Sequence, residues 1–566
     1  MPWERVHGGT MADLEVQTNA TYMRRLARLK LERESYISHW GKITDNLLPR
    51  SGRYFLQDRN RGERRNTDIL DSTGTRALGI LAAGMMAGMS SPARKWFNLA
   101  LSDRELMSYQ PVRIWLDEAA ATLRDVFARS NSYRVLHGLY EEMAAFGTGC
   151  ALLFRDHDDL IRLYPQTVGE FYLGQSNRYT VDTVYREFEM QTGPLVQEFG
   201  HKNVSRAVQA IHDRGVRDEW HTVVHAIQPR ANRDETKADN INFPFESVFI
   251  ESDADENGTL RVSGFKQFPG LTPRWIVRGG DVYGSDCPGM TALGDILQLQ
   301  DDQLKKAKGI DYQSDPPLQV PTALRGSEDV LPGGISYYDP AAPTGGIRSA
   351  FEVQLNLQHL LEDIQDVRGR INSSFFTDLF QMMASSDRRQ ITAREIEERH
   401  EEKLLVLGPV LERNQNELLD PLIDNAFMIA MEEGLFPPPP QELQGMNINI
   451  EYVSMLAQAQ KAVGIGAIDR IVGTVGQMAA IKPDALDKLN ADEIIDEYSN
   501  MLGIPPSLIV ANDQVAIVRE QREAAAQKAQ QMAQMPAMAD TAKKLSETQS
   551  GEGSALDNVA SQFTQL

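Results

Sequence analysis

The stretch 353–375, VQLNLQHLLEDIQDVRGRINSSF, decides how the chain is read. Val353, Leu357, Leu360, Ile364, Val367 and Ile371 recur at spacings of four, three, four, three and four, and Phe375 follows four further on. This is a heptad seam, the pattern of a helix that packs along its length against other helices. A partner helix is predicted around Met290–Ile310, with Leu293, Ile296, Leu297, Leu304 and Ala307 on one side. Asp301, Asp302, Lys305, Lys306 and Lys308 crowd its other positions. Between the two, Pro316-Pro317, Pro321, Pro332-Gly333-Gly334 and Pro343 rule out a continuous helix from roughly Ser314 to Arg348, because proline brings no backbone N–H and a locked φ. After the second helix, Gln381–Gln390 is mostly polar apart from Met382, Met383 and Ala384, and it carries Ser385, Ser386, Arg388 and Arg389.

A chain of 566 residues is long enough for about three or four domains. Its net charge of −21 excludes bulk electrostatic attraction to nucleic acid as its main design. Two cysteines, Cys150 and Cys287, are too few for a disulfide framework, which points to a reducing compartment. The N-terminal residues lack an apolar signal core, and the most apolar stretch, Ala77–Met89, is too short to span a bilayer, so a soluble protein without a membrane partner is expected.

The first 150 residues read as helical: Asp13–Trp40, a Gly/Ala-rich run after Asp71-Ser72-Thr73-Gly74 that ends at Ser91-Pro92, then Pro111–Ser130 and Ser132–Gly147. Arg59, Arg61, Arg64 and Arg65, four arginines in seven residues, are of a type that could hold a phosphate backbone but read first as a solvated loop paired to acidic residues, and Trp96-Phe97 as a packing anchor. From Cys150 to about Val277 the period shortens to two. Strands are predicted at Ala151–Phe154, Phe171–Leu173, Thr183–Phe188, His221–Ile227, Ser247–Ile250 and Leu260–Phe265, with one helix near Pro194–Ile211, an α+β unit.

Catalytic constellations are missing from this pattern. No G-x-x-x-x-G-K-[ST] phosphate cradle exists, His400-Glu401 has no second histidine at zinc-protease spacing, and neither cysteine has a neighbouring histidine to activate it. Asp156-His157-Asp158-Asp159 and His212-Asp213 are metal-competent types, but neither has a partner at characteristic spacing, so no metal site and no cofactor are expected.

Several separated blocks carry a family resemblance. Pro273–Val277, Tyr283-Gly284-Ser285-Asp286-Cys287-Pro288, Ala292–Asp295 and Asp315-Pro316-Pro317 join Asp71–Gly74 and Pro92–Phe97, and Ile391–Ile396, Leu407–Val410 and Asn449–Ser454 follow in order. Together, over about Leu14–Val518, they resemble the portal (head-to-tail connector) proteins of short-tailed double-stranded DNA bacteriophages. The family's tyrosine-glycine-arginine-serine-proline block stands here in varied form as Tyr283–Pro288.

The resemblance implies a mainly α fold with an α+β wing, a two-helix stem, a clip, a long kinked helix and a helical crown. Carried over, it places a flexible N-terminus at 1–13, the wing at 14–283, stem helix 1 at 284–313, the clip at 314–350, and stem helix 2 at 351–378. A tunnel loop at 379–391, the long helix at 392–440, the crown at 441–518 and a helical, barrel-like or disordered tail at 519–566 complete it. It implies a ring, usually of twelve copies, at one capsid vertex. Double-stranded DNA would pass through its channel, driven by the terminase large subunit. Tail adaptor and nozzle proteins, capsid, scaffolding and internal core proteins are its other implied partners.

On that reading Ser385, Ser386, Arg388 and Arg389 contact DNA, and Lys305, Lys306 and Lys308 are weaker channel candidates. Pro316, Pro317, Pro332, Gly333 and Gly334 lie in the docking clip, and Val353, Leu357, Leu360, Ile364, Val367 and Ile371 form a seam completed by neighbouring subunits. The long helix carries its own start and stop: Thr392 and Glu395 make a capping box, Gly434 and Pro437–Pro440 end it, and Gly408-Pro409 and Pro421 are predicted to bend it. A tail-adaptor ring without a packaging role is the alternative.

Overall fold

Helix α1 (Asn19–Asn46) buries Tyr22, Leu26, Leu29, Arg33, Trp40 and Ile43, a recurrence of three, four and seven that keeps one stripe inward. The structure is a computed structural model that describes residues 19–55, 68–103, 106–107, 109–254, 258–314, 318–319, 348–349, 357–385, 407–443, 448–452, 470–478, 489–495, 510 and 514–529. The arginine cluster 59–65 and the capping box at Thr392 lie outside them. Helix α2 (Thr73–Met89) follows, then strand β1 (Phe97–Leu101), α3 (Gln110–Arg129) and α4 (Ser132–Phe146). Helix α4 stops where Gly147 takes φ +80°. Trp96 and Phe97 are buried, edge to face with one another and beside Phe127 of α3, as the anchor reading expects.

The period-two region forms two antiparallel sheets. Strands β2 (Cys150–Asp156), β3 (Leu160–Gln166) and β9 (Gly270–Leu271) make the smaller one. Strand β3 was not predicted. It pairs with β2 along its whole length, so the Asp156–Asp159 stretch is a hairpin turn, in which the Asp156 carboxylate accepts the Asp158 and Asp159 N–H groups. The larger sheet runs β4 (Phe171–Gln175), β5 (Val181–Gln191), β6 (Trp220–Pro229), β7 (Phe245–Glu251) and β8 (Thr259–Phe265) in that spatial order. Alternation decides which face each residue serves. Val224, Ala226, Val248 and Ile250 meet Tyr22, Leu26 and Leu29 of α1, while Val223, Phe249 and Leu260 face a helical pair on the other side. That pair replaces the single helix expected over Pro194–Ile211. Gly200 takes φ +87° and ends α5 (Thr192–Phe199), and Ser205 caps α6 (Arg206–Asp213) by accepting the Val208 N–H.

Beyond the sheets, α7 (Pro288–Thr291) leads into α8 (Leu293–Ser314). The varied block before it is structural. Tyr283 is fully buried among Tyr36, Trp40 and Phe171, and its hydroxyl accepts the Leu173 N–H at 3.0 Å. Gly284 lies so close to α4 that a Cβ there would stand 2.0 Å from the Gly147 carbonyl oxygen. Two short strands, β10 (Leu318–Gln319) and β11 (Arg348–Ser349), pair antiparallel and bring together the two ends of the Pro/Gly insert. Helices α9 (Leu357–Ser374) and α10 (Thr377–Ser385) follow. Residues 379–385, expected to open a loop, are instead helical, because Leu379 and Phe380 are buried against α2, and a break falls at Phe376, with φ +54°. The Phe380 ring occupies the place of a side chain at Gly84, where a Cβ would meet it at 2.1 Å.

Residues 407–414 are helical, Gln415–Leu419 form a π turn, and α11 (Asp420–Glu432) completes the run. Pro421 explains the π turn. It has no N–H for the Glu417 carbonyl four residues back and crowds it, and the Asp420 N–H reaches to Gln415 instead. The expected stop holds: Gly434 takes φ +67°, Leu435 N–H returns to the Ala430 carbonyl and Gly434 N–H to Met431. Strand β12 (Ile448–Tyr452) follows.

Two compact units result. One comprises residues 1–99, 118–438 and 450–467, and the other 100–117, 439–449 and 468–566. In the second, residues 470–478, 491–495 and 514–529 are helical, and Arg519 grips both carboxylate oxygens of Asp492 at 2.6 and 2.7 Å.

Within the first unit, the π turn aims Glu417 at Arg274. The Arg274 side chain is 2% exposed, and the Glu417 carboxylate accepts its Nε at 3.1 Å, its Nη2 at 2.7 Å and its backbone N–H at 3.1 Å. The remaining guanidinium protons go to the carbonyls of Tyr179, Asp281 and Val282. Removing one partner of a buried pair leaves a bare charge, which costs about 3–5 kcal/mol. Glu417→Ala is expected to lower the denaturant-unfolding free energy by that order, with Arg274→Met/Glu417→Leu recovering part of it. Equal midpoints for Glu417→Ala and the parent protein would contradict this account.

Candidate functional site

Helices α8 and α9 pack on one another, and α9 and α10 pack on α2. Their shared seam is closed within a single chain along its second half: Ile364, Val367, Ile371 and Phe375 are buried, as are Leu293, Ile296 and Leu299 opposite. Leu360 is half-buried, Leu357 is the first residue of α9, and Val353 lies outside the described residues. Polar ties register the pair, with Gln298 donating to Asp363 and Arg370 reaching Asp295 at 3.3 Å. The single apolar side read from α8 divides in two. Leu297 and Leu304, seven residues apart, are each 40% exposed, and Leu361 of α9 is 41% exposed.

At the root of the pair stands Asp71, 8% exposed. Its Oδ1 accepts the Thr73 N–H at 3.0 Å and hydroxyl at 2.6 Å, and its Oδ2 accepts from Gln303 at 2.9 Å and from Arg368 at 2.7 and 3.1 Å. Gln300 holds the backbone of the same residue, donating to its carbonyl and accepting its N–H, both at 2.9 Å. Burial alone would raise the Asp71 pKa, but the hydrogen bonds from Thr73 and Arg368 outweigh it and hold the carboxyl below its ordinary value. A polar cavity of about 610 Å³ opens beside this junction, lined among others by Arg76, Lys306, Arg368, Asn372 and Asp378.

The three lysines of α8 part company here. Lys305 is exposed and held by Asp301 at 2.6 Å, Lys306 is half-buried at the cavity, and Lys308 is exposed. Ser385 ends α10, whereas Ser386, Arg388, Arg389, Pro316, Pro317, Pro332, Gly333 and Gly334 lie outside the described residues. Sequence spacing offered no partner for His212-Asp213, but the turn between α5 and α6 brings His201 to them. Among the described residues no helix is long and apolar enough to cross a membrane.

Comparison with known proteins gives this helix pair its context. Residues 19–510 match the family model described as bacteriophage head to tail connecting protein. The chain is 52% identical over 541 residues to a probable portal protein of Bordetella phage BPP-1, covering 95% of this chain and 97% of that one. It is 46% identical over 539 residues to the portal protein of Salmonella phage epsilon15, with the same coverage. A solved chain from the virion of a native gene transfer agent particle superposes with a TM-score of only 0.32 at 12% identity, over 76% of this chain and 99% of that one, a likeness too loose to add to these. The fold is a mixture of helix and sheet in which a helix pair, joined through an insert, stands on a helical and sheet-built body. The chain belongs to the bacteriophage head-to-tail connecting proteins, the portal proteins.

The Asp71 junction makes a pH-dependent prediction. A carboxyl whose pKa is depressed on folding adds stability above its ordinary value, here 3.8, and that stability is lost as pH falls through the folded pKa. Asp71→Asn is expected to cost about 2 kcal/mol near neutral pH, where charge-assisted hydrogen bonds are at full strength. The gap between the two proteins should narrow below pH 3.8. A gap constant from neutral pH into that acid range would count against a charged Asp71 as the source of the stability.

Proposed function

We propose that this portal protein assembles as a ring, of twelve copies by the family's usual number, at one vertex of the phage capsid. Genomic double-stranded DNA enters and leaves through its channel. The ring docks the terminase large subunit during packaging and then tail adaptor and nozzle proteins, with capsid, scaffolding and internal core proteins around it. The role is mechanical rather than catalytic, and it is exercised in the virion after assembly in the host cytoplasm.

The observation that carries this reading is the helix pair itself. Its inward seam is satisfied within one chain by Ile364, Val367 and Ile371, yet Leu297, Leu304 and Leu361 still face outward. A two-helix stem with a second apolar face is suited to lateral packing against copies of itself, which buries that face and closes a ring. The insert with ends joined by β10 and β11 serves as the clip, and the segment 379–391, with Ser385, Ser386, Arg388 and Arg389, faces the DNA.

In a ring, each exposed cation becomes a band of charge. Arg388 and Arg389 are the proposed DNA contacts, with Lys308 the stem lysine best placed to add to them, since Asp301 offsets Lys305 and Lys306 sits at the cavity. A channel must let DNA slide, and a chain of net charge −21 limits how many phosphates it grips at once. This is the reason to prefer a conduit over a static clamp, and over an adaptor with no part in packaging.

Negative-stain microscopy of the purified protein is expected to show rings with an axial hole and a mass about twelve times 63.3 kDa. A uniform monomer or dimer at assembly concentrations would sink the proposal. Arg388→Ala/Arg389→Ala should leave ring assembly intact while changing packaged length or DNA retention, measured on purified particles. Unchanged length and retention would remove the loop from the DNA path.

A further inference from the structure

One cluster in the wing belongs to none of these roles. The turn after α5 and the last residues of α6 bring together His201, His212 and Asp213, whose ligand-capable atoms all lie within 4.8 Å of one another. The His201 Nε2 is 2.9 Å from the Asp213 Oδ1, and the His212 Nδ1 is 3.8 Å from the same oxygen. The two imidazole rings are 5.7 Å apart and inclined at 67°, so they meet edge to face rather than stacking. We propose that these three side chains form a divalent transition-metal site, of zinc type, that fastens the α5–α6 hairpin.

The donor set selects the metal class. Two imidazole nitrogens and one carboxylate oxygen suit zinc, nickel or cobalt, whereas calcium and magnesium require oxygen-rich shells. Ligand bonds of about 2.0–2.1 Å in a tetrahedron place donor atoms about 3.3 Å apart. The separations of 2.9 and 3.8 Å bracket that spacing, and the remaining one, within 4.8 Å, closes by small side-chain rotations. Such rotations are open to these residues, because the three side chains are 43%, 25% and 63% exposed. Three protein ligands leave a fourth position for water.

The backbone beneath the cluster is already fixed. Leu195, Phe199, Val204 and Val208 are buried against the sheet, and Ser205 donates through both its N–H and its hydroxyl to the buried Glu251 carboxylate. A metal would therefore order the side chains without rebuilding the hairpin, and it would tie the turn following Gly200 to the end of α6. The carboxyl end of a helix adds favourable potential for a cation there.

The test uses full-length protein without a polyhistidine tag, stripped with a chelator and dialysed. Titration with Zn²⁺ in competition with a chromophoric chelator is expected to reveal one site per chain, and Co²⁺ should give the intense visible absorption of a four-coordinate centre. His201→Ala, at an exposed position, and His212→Ala, at a half-buried one, should each weaken Zn²⁺ binding at least tenfold. In the unaltered protein, Zn²⁺ should protect His201 and His212 from diethyl pyrocarbonate while His157 stays reactive, read by peptide mass spectrometry. Affinity unchanged in both variants, or modification of His201 and His212 unaffected by Zn²⁺, would overturn the proposal.

Discussion

Asp71 stands where the start of α2 meets α8 and α9, and its two carboxylate oxygens accept all the hydrogen bonds described from Thr73, Gln303 and Arg368. A carboxylate withdrawn from water survives only if its lone pairs are met, and here each of the three elements supplies donors. The constraint is mutual. Gln300 and Gln303 belong to α8, Arg368 to α9, and the helix pair cannot slide or rotate at its root without stranding the charge. The seam of Ile364, Val367 and Ile371 supplies apolar burial, which is strong but tolerant of small shifts, and the carboxylate supplies the geometry.

A second buried charge does similar work elsewhere in the same unit. Arg274 follows the smaller sheet and is anchored to Glu417, and Glu417 is presented by a π turn that exists because Pro421 cannot accept an ordinary α-helical ladder. Pro421, predicted from the sequence to bend the helix, is the cause of a local widening that aims one carboxylate. Nearby, the Tyr452 hydroxyl donates to the Asp420 carboxylate, and burial raises the pKa of that carboxyl. Polar groups in this body thus occur mostly where separate stretches of chain must be held in one orientation.

Much of this was legible beforehand, and the legible parts share a cause. The heptad spacing of 353–375, the alternation in Thr183–Phe188 and His221–Ile227, and the Gly434 stop all depend on residues within a few positions of each other. Periodicity and capping are local physics, and reading them needs no knowledge of what lies across the fold. Strand β3 escaped because Leu160-Ile161-Arg162-Leu163 is too brief and too mixed to stand out, and it becomes a strand only through full-length pairing with β2. The split between α5 and α6 turned on the backbone angle of Gly200, to which the surrounding apolar pattern is indifferent. The helical course of 379–385 came from burial of Leu379 and Phe380 against α2, which outweighed the polar look of the residues that follow.

By itself, then, the sequence determined the helix pair, the insert between them, most of the strand-rich region and the family, because each is written in short-range spacing or in ordered motifs. The tertiary structure alone decided which polar residues meet. Asp71 and Arg368 are separated by 297 positions, Arg274 and Glu417 by 143, and His201 lies eleven residues before His212 with no spacing rule to link them. Contacts at such separations are set by how whole elements pack, and a chain's local preferences carry no record of that geometry until the core has closed.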